Sequence, residues 1–220
     1  PVSLQNAIRS AGPGGTEQIV FDDAALGEVF YIGVKAEDQR AGEYGFVGLS
    51  SEEPFGGVDD DGNPFINGLP VNVTVPDGDA ITPGQHLIFA PGIRPDLVNS
   101  VWVETTAIST DFGDVIGNLS HNGAFSVLFN NSLDFGLIDT SGLPEVQSFI
   151  FDDSDSGRIN SINLRPSDGP GSLRSFIGQP AQGPWIFAVV DNQPEGSTTI
   201  TDFVIRYTPL PELSDQFIDG

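Results

Sequence analysis

Carboxylates are the groups with which this chain could do chemistry: 31 Asp and Glu face 8 Lys and Arg, with 2 His and no Cys, for a formal net charge of −23. Hard divalent cations such as Ca2+ are bound by roughly six to eight oxygens, and a β-sandwich can supply these from loops gathered at one end. The candidate ligands are Asp111 and Asp114, ahead of an apolar strand; Asp152, Asp153 and Asp155, after Phe151; and Asp191, which closes the apolar run from Trp185. A second arrangement is Asp59-Asp60-Asp61-Gly62-Asn63, where Asp59, Asp61 and Asn63 place oxygens at alternate positions beside a glycine for a sharp bend. Calcium loops begin in this way. The distal bidentate Glu of an EF-hand is absent, since that region holds Pro70 and Val71. This stretch therefore reads either as a calcium-bearing loop or as a solvated acidic linker. Each of the other aspartates reads either as a ligand or as the cap of its own turn, accepting from an amide two residues on.

Other chemistries find little support. His86 and His121 are the only imidazoles, and neither lies in a Gly-x-Ser-x-Gly, His-Glu-x-x-His or phosphate-loop motif. Both read as ordinary surface or turn residues. The lack of Cys removes disulfides, thiol catalysis and thiolate metal sites. A carboxylate-pair glycosidase needs one acid in an apolar pocket and a partner roughly 5 to 10 Å away, whereas these aspartates sit in polar, turn-like runs. The reading is a non-enzyme. Such an acidic surface repels phosphate backbones and anionic lipids, so nucleic acid and lipid headgroups are poor partners, and neither nucleic-acid binding nor membrane insertion is expected.

The elements that must position the aspartates are strands. Gly 27 and Pro 17 are high for a helical protein and suit many short strands joined by tight turns, while 38% hydrophobic residues with 16 Phe support a real core. From Phe65 to Pro209 the pattern is short apolar runs between Gly, Pro, Asn and Asp: Val71 to Val75, Leu87 to Ala90, Val98 to Thr105, Val115 to Leu119, Phe125 to Phe129 and Val146 to Phe151. The run Trp185 to Val190 reads as a strand buried on both faces, and Phe203, Ile205 and Tyr207 as the dry face of the next. With Pro194 and Gly196 between them, these two predict a closing hairpin. The expected fold is all-β, an antiparallel β-sandwich or jelly roll.

Residues 1 to 57 predict a smaller, incomplete β section, with strands at Glu17 to Phe21, Val29 to Lys35 and Tyr44 to Leu49. So few strands rarely stand alone, so this section should pack on the rest or be completed by a neighbouring segment. Residues 58 to 64 form the boundary and 210 to 220 a polar exit read as a linker. A start at Pro1 and the absence of Met suggest an internal piece of a longer polypeptide.

Several of these motifs carry a resemblance. The Gly178 to Trp185 approach, the strand ending in Asp191 and the aromatic-ended strand to Tyr207 resemble the end of the P domain of proprotein convertases and bacterial subtilisin-like proteases. Gly113-Asp114-Val115-Ile116-Gly117-Asn118-Leu119 resembles that family's Gly-Asp-Leu strand, and Phe151-Asp152-Asp153 its Phe-Asp-Asp turn. The family's Ser-Pro-Ser-Gly turn is here Ser120-His121-Asn122-Gly123. Phe30 to Asp38 with Glu43 to Phe46 is similar to the last strands of the bacterial pre-peptidase C-terminal (PPC) domain. The P-domain resemblance implies that three loops converge, singling out Asp114, Asp152 and Asp191 as ligands of Ca2+. It implies a secreted or cell-surface, non-catalytic module that spaces, stabilises or docks adjacent domains of the same polypeptide. Two alternatives stand beside it. One is a subunit or repeat of an adhesin or filament, completed by a strand from a neighbouring copy. The other is a carbohydrate-binding module, with a glycan as partner and Trp102 as its exposed aromatic platform.

Overall fold

The computed structural model describes residues 8, 10, 17–21, 24–35, 43–133, 144–154 and 164–211. Eleven strands carry the fold: β1 (Gly56–Val58), β2 (Pro64–Asn67), β3 (Val73–Thr74), β4 (Gly84–Gly92), β5 (Val98–Ser109), β6 (Val115–His121), β7 (Ala124–Asn130), β8 (Glu145–Asp152), β9 (Leu164–Arg165), β10 (Gly183–Asp191) and β11 (Thr198–Pro209). One sheet runs β1-β2-β11-β5-β8-β9 with β3 also on β11, and the other runs β4-β10-β6-β7. All pairings are antiparallel except β8 with β9. This is the expected all-β sandwich.

Aromatic residues join the two layers. Phe187 of β10 stacks on Phe203 of β11 with ring centroids 4.3 Å apart, and Phe129 of β7 meets Phe151 of β8 at 5.7 Å. Alternation produces this: β10 buries Trp185, Phe187, Val189 and Asp191 while Ile186, Ala188 and Val190 are only partly covered. The strand therefore has one dry face, not two. Its two hydrogen-bonding edges are taken by β4 and β6, and its outer face has no third layer over it among the described residues.

The expected closing hairpin is not formed. β10 lies in the four-stranded sheet, and β11 pairs with β2, β3 and β5 in the other. Both strands need their apolar faces turned to one core, and placing them in opposite layers achieves this, with the intervening loop crossing the end of the sandwich. Crossing loops of this kind gather several turns at one rim.

Residues 58 to 64 connect the β1–β2 hairpin, with Val58 opposite Pro64, so the acidic boundary is built into the larger sheet. The strands expected in the first section carry no β-ladder among the described residues, and Val29, Tyr31, Ile32, Tyr44 and Phe46 are exposed. A strand is stable only when its backbone groups find partners, and here the pattern lacks one. The buried core begins at Ile66 and ends at Tyr207.

Candidate functional site

Both sheets end at a common rim. In the first, Thr198 at the start of β11 pairs with Ser109 at the end of β5, and their hydroxyls are 2.7 Å apart. In the second, Asp191 at the end of β10 pairs with Gly84 at the start of β4 and with Val115 at the start of β6. The loops leaving β3, β5 and β10 therefore converge, carrying Asp77, then Asp111 and Asp114, then Asp191.

Local chemistry sets each carboxylate. Asp111 caps the single-turn 3-10 helix Phe112–Asp114, its Oδ1 accepting from the Gly113 N–H at 2.7 Å, while its own N–H donates to Ser109 Oγ. Asp114, at the end of that turn, is 9% exposed. The chain closes over it: a Cβ on Gly196, which has φ +94°, would lie 2.7 Å from Asp114 Oδ2. The Asn192 N–H reaches the Asp114 carbonyl, binding the crossing loop to the helical turn. Asp191 is 1% exposed; its Oδ1 accepts from the Gln193 N–H at 3.2 Å, and its Oδ2 is buried with no partner. Asn192 Oδ1 is likewise buried and unpartnered.

The electrostatics are one-sided. Burial, followed by repulsion from Asp111, Asp191 and Asp77, pushes the Asp114 carboxyl up to about 6. Burial also raises the Asp191 carboxyl, with Asp77 and Asp111 adding to it and the Gln193 and Gly78 N–H groups opposing. The described arginines have their partners elsewhere: Arg94 on Asp96, Arg165 on the Ser132 carbonyl, Arg174 on the Asp153 carbonyl and Arg206 on Asp59 and Glu104. Two buried and two exposed carboxylates thus act on one another, and among the described residues no cationic side chain pairs with them. Like charges about 4 Å apart repel by about 4 kcal/mol at an effective dielectric of about 20, and by less as the separation grows.

Asp152 does not join them, which corrects the expected convergence of three loops. It pairs with Trp102, seven residues along β5 from Ser109, so it sits roughly 20 Å from the rim. The cause is direction: β8 runs antiparallel to β5, and its last residue falls at the start of β5. Asp152 Oδ1 there accepts from the Ser154 N–H, an ordinary turn cap.

The other candidates serve local structure. Both oxygens of Asp153 are occupied, Oδ1 by the Ser167 N–H and Oδ2 by the Ser167 and Ser172 hydroxyls and the Leu173 N–H. Burial would raise its carboxyl, but these donors outweigh burial and hold it below the ordinary range. Asp59 Oδ1 accepts from the N–H groups of Asp61 and Asn63, and its Oδ2 pairs with Arg206 at 3.0 Å. The Asn63 amide above all, with Arg206 adding, keeps this carboxyl low. In the Asp59-Asp61-Asn63 loop, the first carboxylate is therefore spent on its own turn. Asp155 lies outside the described residues.

Two aromatic expectations also change. Trp102 is 3% exposed and its indole N–H donates to Glu104 Oε1, so it offers no platform for a sugar. It borders a polar hollow together with Asp59, Asp60, Asp61 and Asn63 of the β1–β2 hairpin, Glu104 and Arg206. His121 is not a surface residue: it stacks on Trp185 at 3.9 Å, 2% exposed, with its ring nitrogens on the Pro184 and Pro180 carbonyls. It pins the chain entering β10.

Sequence reading missed Asp77. It lies in a plain turn, Pro76-Asp77-Gly78-Asp79, and only the close approach of Gly78 to Asp191 and Gly84 brings it to the rim. Among the described residues, no three carboxylate, imidazole or thiol groups stand close enough to ligate one ion directly. The orphaned Asp191 oxygen and the absent counter-charge nevertheless fit a hydrated hard cation.

Fold and rim together define a two-layer all-β sandwich with a carboxylate-lined end. Comparison of the chain with family models, curated proteins and solved structures finds no match.

Proposed function

We propose that this chain is a non-catalytic, calcium-stabilised β-sandwich module of a larger secreted or cell-surface protein. Its role is to space, stabilise or dock neighbouring domains, as the P-domain resemblance implies. The observation that carries the reading is the composition of the rim: its buried charged side chains, Asp114 and Asp191, are carboxylates, and among the described residues no cationic side chain pairs with them. Such a cluster opposes folding until a cation or a proton compensates it. The other buried titratable side chain of note, His121, is committed to two carbonyls and a tryptophan face.

Thermal unfolding of the full chain tests this. Added CaCl2 at constant ionic strength should raise the melting temperature by several degrees over the same protein in chelator, the response of a site filled well above its dissociation constant. Equal melting temperatures would remove calcium from the proposal.

A second reading, a subunit completed by a neighbouring copy, rests on the exposed apolar residues Val29, Tyr31, Ile32, Val34, Tyr44 and Phe46. Exposed apolar side chains at consecutive positions 29 to 32 and again at 34 suit strand addition to another chain. Light scattering separates the two: the subunit reading requires assemblies that vanish when residues 1–50 are removed, and a monomer at all concentrations sinks it.

A further inference from the structure

We propose that Asn122 is a site of spontaneous covalent modification, at which the Gly123 amide nitrogen displaces the Asn122 side-chain nitrogen as ammonia and water completes the conversion to a carboxylate. The modification sets a negative charge against the buried His121. It stands independently of any bound cation.

The chain contains two Asn-Gly dipeptides, and the fold treats them oppositely. Asn122 and Gly123 form the whole turn between β6 and β7: His121 pairs with Ala124, and the two residues between have φ +47° and +82°, the type I′ hairpin turn that this dipeptide favours. Both are exposed, a Cβ on Gly123 would meet nothing within 4 Å, and the Gly123 N–H donates to no carbonyl among the described residues. The nucleophile is therefore free, and glycine leaves the backbone able to swing toward the Asn122 carboxamide. Asn67 and Gly68 are locked instead. The Asn67 N–H donates to the Phe55 carbonyl and its side-chain amide to the Pro54 carbonyl, both at 2.8 Å. The Gly68 N–H donates to the Phe203 carbonyl at 2.8 Å, and a Cβ there would stand 2.6 Å from the Phe203 ring.

Water is the only co-reactant the chemistry needs. Gly123 N bonds to Asn122 Cγ, the Cγ–Nδ2 bond breaks, and the proton from the Gly123 N–H leaves with the departing nitrogen as ammonia. Water then opens the cyclic imide, giving aspartate when it breaks the new C–N bond and isoaspartate when it breaks the original peptide bond. The leaving nitrogen lies 2.9 Å from His121 Nε2, so in the aspartate product a carboxylate oxygen takes its place beside the imidazole. His121 stacks on Trp185 and meets the Pro184 carbonyl at Nδ1, 3.0 Å away, and the Pro180 carbonyl at Nε2, 2.7 Å away. A neutral imidazole has one N–H and can donate to only one of these, whereas an imidazolium donates to both. Burial holds the ring below its ordinary range and the two carbonyls oppose that, with no charged side chain among the described residues contributing. A carboxylate beside Nε2 supplies the missing charge and favours the imidazolium.

Peptide-mapping mass spectrometry of the full chain, kept folded in mildly alkaline buffer, tests the site, with the same protein in denaturant setting the time both dipeptides need to convert. Over that time the folded protein should convert Asn122 from amide to acid and release ammonia, while Asn67 stays an amide. No conversion at Asn122 overturns the proposal. Equal conversion at the two also overturns it, since unfolding and not this turn would then govern the chemistry. NMR titration of the His121 ring tests the consequence. Asn122→Asp, which the same turn type accepts, should titrate at higher pH than freshly prepared wild type, whereas Asn122→Gln, which keeps an amide, should not. Identical titration in Asn122→Asp and wild type overturns the link to His121.

Discussion

Asp114 shows how one residue's surroundings set the behaviour of the cation-free protein. Its carboxyl is pushed up to about 6, above its unfolded value near 3.8, chiefly by burial and then by Asp111, Asp191 and Asp77. The folded state therefore holds a proton that the unfolded state has released, and this contribution is present below about 4 and lost as pH rises through about 6. Its size is on the order of 1–2 kcal/mol once solvent screening is allowed for. His121 works in the opposite sense, since burial lowers its pKa and protonation below about 6.5 favours unfolding. We predict that in chelator the melting temperature is higher at pH 5 than at pH 7.5, and that Asp114→Asn narrows the gap. A gap unchanged in that variant would show that Asp114 is not its source. Which of Asp111, Asp114, Asp152, Asp153 and Asp191 could serve as ligands was legible as a residue type at the end of a run. Asp153 was not distinguishable from Asp191 in this way, because the Ser167 and Ser172 hydroxyls that satisfy it come from a distant loop.

At the scale of elements, period-two alternation placed the sandwich strands within a few residues: Val98 to Thr105 against the observed Val98–Ser109, and Phe125 to Phe129 against Ala124–Asn130. It failed for β10, where an unbroken apolar run read as doubly buried although only one face meets the core. Two substitutions on neighbouring positions test that face. Phe187→Ala, which removes the ring stacked 4.3 Å from Phe203, should cost about 3–5 kcal/mol, whereas Ile186→Ala on the outer face should cost far less. Chemical denaturation of both variants measures the difference, and equal losses would restore the doubly buried strand. Close packing makes a complementary prediction at β6. A Cβ on Gly117 would fall 2.3 Å from the Phe129 ring, which is itself 1% exposed and has nowhere to move. Gly117→Ala should destabilise by about 1–3 kcal/mol, and adding Phe129→Leu should recover part of that. No recovery would mean the strain is in the backbone.

For the whole molecule, the core runs from Ile66 to Tyr207 and includes nothing from the first fifty residues, whose described apolar side chains are exposed except for the half-buried Val20 and Leu49. The Gln18 side-chain amide ties them to the sandwich, donating to the Gly92 carbonyl at 3.0 Å. The sequence reading sets a smaller β section over residues 1 to 57, whereas its described residues before Gly56 carry no ladder and β1 (Gly56–Val58) belongs to the sandwich sheet. Removing residues 1–50 should leave a single cooperative transition within a few degrees of the full chain. Loss of cooperativity would show that the first section contributes packing that its exposure does not suggest.

Local pattern determined what could be known without coordinates: an acidic chain of short strands, with aspartates at their ends and an aromatic-rich dry face. Alternation and turn chemistry act within a few residues, so they survive in a linear reading. Tertiary structure alone decided that β10 and β11 part into opposite sheets, that Asp152 falls at the far end from Asp191, and that Asp77 reaches the rim. The backbone edges of every strand offer the same donors and acceptors. Which edge meets which is settled by how all the apolar faces share one interior, and the meeting of loops follows from that.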